Sequence, residues 1–229
     1  METLGFDTLA ETSGAIVAYP NAVQGSWNDE RIGVDSVAHI ENIDDLGFIE
    51  KLIATEVTDD NIDPSQVAMI GFSNGALFAA DFACTHAHEV RVVVLAAGVG
   101  GIDLPERCQP ANAVSILEVH SLHDPTVPYT GGKIGSSDGK TRGQAAPVDT
   151  MIGLWRTADQ CPDPTTTTLT NTTPRVVEHA ASPCLDGTAV TAITIDNALH
   201  TWPTAPVYNM TAKSWQFIID HISRSSGPP

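Results

Sequence analysis

Along this chain, short apolar runs rich in β-branched residues alternate with stretches whose apolar positions recur every three to four residues. Strands covered by helices on both faces read this way, so the alternation predicts an α/β fold built on a mostly parallel sheet flanked by helices. Strands are expected at residues 15–19, 67–71, 91–97, 114–120, 175–179 and 189–195. Helices are expected from near Leu4 and at 43–57, 74–88, 148–158 and 211–222. In the second of these Leu46, Ile49, Leu52 and Ile53 share one face, and Asp44 and Asp45 suit the positive end of the helix dipole. The Gly-rich stretch 129–143 and the Thr-rich tract 162–174 show neither period and read as exposed loops. Residues 224–229 read as a disordered tail.

A chain of 229 residues, 42% of them hydrophobic, can bury one substantial core, so a single domain over 1–229 is expected. Its 28 acidic and 11 basic residues give a formal charge of −17, which disfavours nucleic acid and anionic membrane surfaces as partners. No apolar run approaches the roughly 18 residues of a membrane span, and residues 1–10 lack the basic and apolar regions of a signal peptide. The four cysteines have no CxxC spacing and no zinc-type His/Cys cluster, so neither a metal nor another cofactor is expected. Sequence order favours pairing Cys84 with Cys108 and Cys161 with Cys184, each closing a modest loop. The alternative is four buried thiols, which would indicate a reducing compartment.

The chemistry centres on Gly71-Phe72-Ser73-Asn74-Gly75, a G-x-S-x-G motif with an apolar strand before it and a helix after it. That context defines a nucleophile elbow: a tight turn exposes the serine hydroxyl at the carboxyl edge of the sheet, with glycines two positions away on either side to avoid collision with neighbouring strands. The amide of Asn74, at the helix start, is aimed to receive a developing oxyanion. A serine hydroxyl is a weak nucleophile at neutral pH and needs a base and an orienting carboxylate, here in the order Ser, Asp, His. Asp124 follows the 114–120 strand in a loop stiffened by Pro125 and Pro128. Asp103, Asp138 and Asp149 occupy loops or a helix start, where solvation or capping accounts for them. Of the histidines that come later, His200 follows the last strong strand, whereas His179 ends a strand and His221 lies in the terminal helix.

With these residues in hand, the segments around Phe6-Asp7-Thr8-Leu9-Ala10, Val17-Ala18-Tyr19-Pro20, Asp44-Asp45-Leu46-Gly47-Phe48-Ile49, the elbow, Asp124-Pro125-Thr126-Val127-Pro128-Tyr129 and His200-Thr201-Trp202-Pro203 resemble the polyhydroxybutyrate depolymerase and feruloyl esterase family of α/β-hydrolases. The resemblance covers nearly the whole chain. It implies a secreted enzyme acting on hydroxycinnamoyl esters, polyesters or esters linked to polysaccharide, with Ser73, Asp124 and His200 at the triad positions and disulfides near these cysteines. The chain departs from that pattern as an N-terminally short member: the usual first strands, one ending in a His-Gly turn that supplies a second oxyanion amide, have no counterpart. Their absence would leave a gap between the strands at 15–19 and 67–71, unless those strands close together, another chain fills the space or the reading frame begins further upstream; loss of one oxyanion donor costs roughly a hundredfold to a thousandfold in rate, so weak activity is expected unless another donor substitutes.

The residues therefore predict acyl transfer: His200 takes the proton as Ser73 attacks, Asn74 holds the oxyanion and Asp124 stabilises the imidazolium. Trp202, Trp27 and Tyr129 are expected to contact substrate, each with core packing as the alternative. Trp155 reads as core. Peptide hydrolysis is a weaker enzymatic reading. A catalytically impaired, ligand-binding homologue is the competing one, and an exposed sheet edge would favour a homodimer.

Overall fold

The computed structural model describes residues 4–223; the expected tail lies outside them. In chain order the elements are α1 (Phe6–Ser13), α2 (Val37–Ile40), α3 (Asp45–Asp59), β1 (Ala68–Phe72), α4 (Asn74–Thr85), β2 (Val92–Ala96), α5 (Leu104–Arg107), β3 (Ser115–Ser121), β4 (Gly132–Lys133), β5 (Gln144–Ala145), α6 (Val148–Ala158), β6 (Thr165–Thr170), β7 (Val176–Ala181), β8 (Val190–Ile195) and α7 (Met210–His221). Six strands make one sheet in the order β1-β2-β3-β8-β7-β6, and β4 and β5 pair separately. The neighbours among β1, β2, β3 and β8 run parallel, and β7 and β6 add antiparallel.

β2 and β3, covered on both faces, are buried along their whole length, and β2 is apolar throughout. The pleat sends Val93 and Leu95 into a core with Ile49, Phe78, Phe82 and Trp155, which fills the face under α3, α4 and α6. Val92, Val94 and Ala96 point the other way, into a core with Met210 and Ile218 of α7. Cys84, in the last turn of α4, bonds to Cys108 just past α5, and Cys161 bonds to Cys184. Each link closes a loop of some two dozen residues, worth about 3 kcal/mol of unfolded-state entropy in the chain-closure picture.

Three expectations change. Residues 15–19 join no strand, and Ile16 is 52% exposed. An apolar, β-branched run is only a candidate strand until a neighbouring strand pairs with it, and among the described residues no strand pairs with this one. The sheet consequently has no internal gap; β1 is its edge. The Thr-rich tract, read as a loop, forms β6, pairing with β7 from Thr165↔Ala180 to Thr170↔Val176. Its β-branched threonines suit an exposed edge strand, and their polarity hid that signal. The loop at 129–143 is partly ordered by the β4–β5 pairing.

Candidate active site

Ser73 joins β1 to α4 with φ 54° and ψ −121°, a backbone conformation that non-glycine residues rarely adopt. Neighbouring backbone holds it there. Its amide donates to the Ala96 carbonyl of β2 at 2.9 Å, and its carbonyl accepts from Ala76 and Leu77, which starts α4. A Cβ at Gly71 would stand 2.2 Å from the Gly75 carbonyl oxygen, so glycine is required by the elbow's own second arm rather than by a neighbouring strand. A Cβ at Gly75 meets nothing closer than the Trp27 ring at 4.0 Å, so no collision requires glycine there.

Asp124 stands in the loop after β3. Its Oδ1 accepts the amides of Thr126 and Val127, both at 2.8 Å, which fixes the carboxylate plane. Its Oδ2 lies 2.8 Å from His200 Nδ1, and His200 Nε2 lies 2.8 Å from Ser73 Oγ. With the proton on Nδ1 facing the carboxylate, Nε2 accepts the serine hydroxyl proton. Burial pushes the Asp124 carboxyl up, but the hydrogen bond from His200 and the two loop amides outweigh it and hold the group below its ordinary value. This arrangement can take a proton from Ser73, and it keeps the carboxylate ionised to balance the charge that would appear on His200.

A second pair, unanticipated from the sequence, stands behind Asp124. His120 Nδ1 lies 2.7 Å from Glu118 Oε1, and Nε2 is 2.9 Å from the Val127 carbonyl and 3.8 Å from Asp124 Oδ2. Burial lowers the His120 pKa, but the hydrogen bond and charge of Glu118 override it and raise the pKa. Burial raises the Glu118 pKa as well. The signal was available: two titratable residues at i and i+2, interleaved with Leu117 and Val119 in a buried strand, point to the same face and must pair when buried.

Asn74 is held by its side chain. Its Oδ1 accepts the Trp27 amide at 2.7 Å, and its Nδ2 donates to the Trp27 carbonyl at 3.1 Å and to Asp29 Oδ2 at 2.9 Å. Asp29 also receives Arg31 Nε and His39 Nε2 at its Oδ1. The segment from Trp27 to Arg31 is thus tied to the elbow. The Asn74 backbone amide lies in the first turn of α4, where helix geometry supplies no acceptor.

The three expected substrate aromatics lie outside the cleft of about 580 Å³ that holds Ser73 and His200. Trp27 stacks on Phe78 at 5.1 Å and on Phe48 at 6.4 Å. Tyr129 donates to Asp149 and packs edge-on against His120. Trp202 packs against Phe6 and Phe72 and donates to Thr211. Trp155 is fully buried, matching its expected place in the core. The competing acids Asp103 and Asp138 pair with Arg107 and Arg142, and His179 lies beside Thr166 on β7.

With this geometry established, comparison with known proteins gives three findings. The profile of a family described as Phospholipase/Carboxylesterase matches residues 29–146, just over half of the chain. Feruloyl esterase C from Emericella nidulans is 27% identical over 129 residues, and a probable feruloyl esterase C from Aspergillus niger is 28% identical over 130, each match covering 56% of this chain. The chain spans 42% of the length of those two relatives. An acetyl xylan esterase structure from Aspergillus awamori superposes with a TM-score of 0.64 at 14% identity, covering 94% of this chain and 81% of that one. That likeness is one of fold: the α/β-hydrolase fold.

Proposed function

Because the chain belongs to the phospholipase/carboxylesterase family, we propose that it hydrolyses carboxylic esters through an acyl-enzyme, with Ser73 as nucleophile, His200 as general base and Asp124 as the acid that orients it. The observation that carries this reading is the continuous hydrogen-bonded chain from Ser73 Oγ through both ring nitrogens of His200 to Asp124. In the cycle, His200 accepts the Ser73 proton as Oγ bonds to the ester carbonyl carbon, then returns it to the departing alcohol oxygen. Water repeats the path: its oxygen bonds to the acyl carbon, His200 takes its proton, and Ser73 leaves with that proton restored. The Asn74 amide receives the oxyanion in both halves. Similarity to two feruloyl esterases supports hydroxycinnamoyl esters as the substrate class; polyester chains are the second candidate, on the sequence resemblance alone. The disulfides support an oxidising, extracellular setting.

One observation favours a second reading. β1, the strand leading to the nucleophile, is the sheet edge, so among the described residues no further strand stands beside it to present a second oxyanion amide. A ligand-binding homologue with little turnover would have this form. The same unpaired edge supports pairing of two copies, and light scattering that reads only monomer would dismiss it. Hydrolysis of p-nitrophenyl butyrate and methyl ferulate beside Ser73→Ala tests the function: turnover abolished by the substitution is expected, and wild-type rates no higher than the variant's would overturn the esterase reading.

A further inference from the structure

The charge balance of the cleft in front of Ser73 is opposite to that of the chain. Acidic residues outnumber basic ones by 28 to 11 overall, yet the described residues that line the cleft include Arg31 and Arg142 and no aspartate or glutamate. The remaining polar lining includes hydroxyl groups, among them Ser26, Thr126 and Ser137.

The two arginines are held differently. The Arg31 side chain is 5% exposed, with Nε on Asp29 Oδ1 at 2.7 Å and Nη1 donating to the Arg142 carbonyl at 2.7 Å. Those two bonds fix the guanidinium plane and leave Nη2 without a hydrogen-bond partner among the described residues. Its counter-charge is divided, because Asp29 also serves His39 and Asn74. The Arg142 side chain, 35% exposed, spends Nη2 on Asp138 and keeps Nε and Nη1 free of protein partners among the described residues. Two guanidinium groups with unspent N–H donors, each already on one carboxylate but in a cleft whose described lining includes none, suit an anionic oxygen pair better than a neutral group.

We infer that this cleft selects esters whose acyl or alcohol part carries a carboxylate, which Arg31 and Arg142 bind while Ser73 reaches the ester carbonyl. The inference rests on the esterase reading for its catalytic consequence, though not for the binding itself. A purely structural role, tying the segment around Val34 to that around Arg142 through their backbone bridge, would leave discrimination between charged and neutral substrates untouched.

The test compares isosteres. One arm sets the p-nitrophenyl half-ester of glutarate against that of glutaramate, and the other sets meta-carboxyphenyl acetate against meta-carbamoylphenyl acetate. The carboxylate should lead its amide by about tenfold in kcat/KM in at least one arm, the scale of a charge-assisted hydrogen bond. Arg142→Gln should bring that ratio near one, and Asp138→Asn, which frees Arg142, should preserve or raise it. A ratio of one or less in both arms, or a ratio unchanged by Arg142→Gln, would overturn the inference. Calorimetric binding of monomethyl glutarate and its monoamide analogue to Ser73→Ala separates the two levels. If no ester is turned over, the esterase reading fails, and tighter binding of the carboxylate still supports the anion site whereas equal or absent binding ends it.

Discussion

Ser73 and His200 touch at 2.8 Å, but the backbone carrying each is held in a different way. On the serine side, three backbone hydrogen bonds and the required glycine at 71 determine the turn, and α4 behind it is buried from Ala76 to Cys84 and tied to Cys108. His200 sits in the connection between β8 and α7, next to Leu199, which is 71% exposed. Its loop is anchored by Ser121 Oγ donating to the Ala198 carbonyl, and the imidazole is oriented by Asp124 and by the Phe72 ring 5.1 Å away. The proposed nucleophile is thus positioned by the fold, and the proposed base by a few side chains. Strain at Ser73 persists because the surroundings enforce it, while the geometry of His200 can be lost without disturbing the core.

The sharpest test on the histidine side is Asp124→Asn. Losing the carboxylate that selects the His200 tautomer should lower kcat by roughly ten-thousandfold, with thermal unfolding still cooperative. On the serine side, Gly71→Ala should cost more than about 3 kcal/mol of stability or prevent folding, whereas Gly75→Ala should cost no more than about 1 kcal/mol. Equal effects would break the claim that one arm of the elbow alone needs glycine. Phe72→Leu keeps an apolar side chain but removes the ring that faces His200. It should lower kcat about tenfold with KM little changed, the size expected of a small misplacement of a reacting group. The smallest effect concerns pH. A carboxyl depressed in the folded state contributes stability that is present above its unfolded value, near 3.8, and is lost as pH falls through the folded value. The wild-type advantage in stability over Asp124→Asn should therefore hold from pH 7 to 5 and shrink only below about pH 4, as followed by chemical denaturation.

The same division governs how much was legible in the sequence. Strands buried on both faces announce themselves, and β2, β3 and β8 lie within a residue or two of their expected bounds, as does α6. The strand–turn–helix around Ser73 was legible because its signals are local: Gly71, Ser73 and the flanking strand and helix lie within a few residues of one another. Residues 15–19 misled because strand character depends on a partner, which no local pattern supplies. β6 was missed because threonine combines β-branching with polarity, and an exposed edge strand looks like a loop. Trp27, Tyr129 and Trp202 show a further limit. Proximity in sequence to a candidate catalytic residue does not say whether a ring faces the cleft or the core, and none of the three is among the residues that line it. The basic lining of the cleft was invisible for the same reason, since Arg31 and Arg142 are brought together by the bridge between Val34 and Arg142.

The most direct test of the central claim, that His200 activates Ser73, is the rate of covalent labelling by a fluorophosphonate, read by intact mass and by peptide mapping. The account predicts one adduct, on Ser73, formed at least about a hundredfold faster than in His200→Ala and absent in Ser73→Ala. Labelling of Ser73 at the same rate with and without His200, or labelling elsewhere, would contradict it.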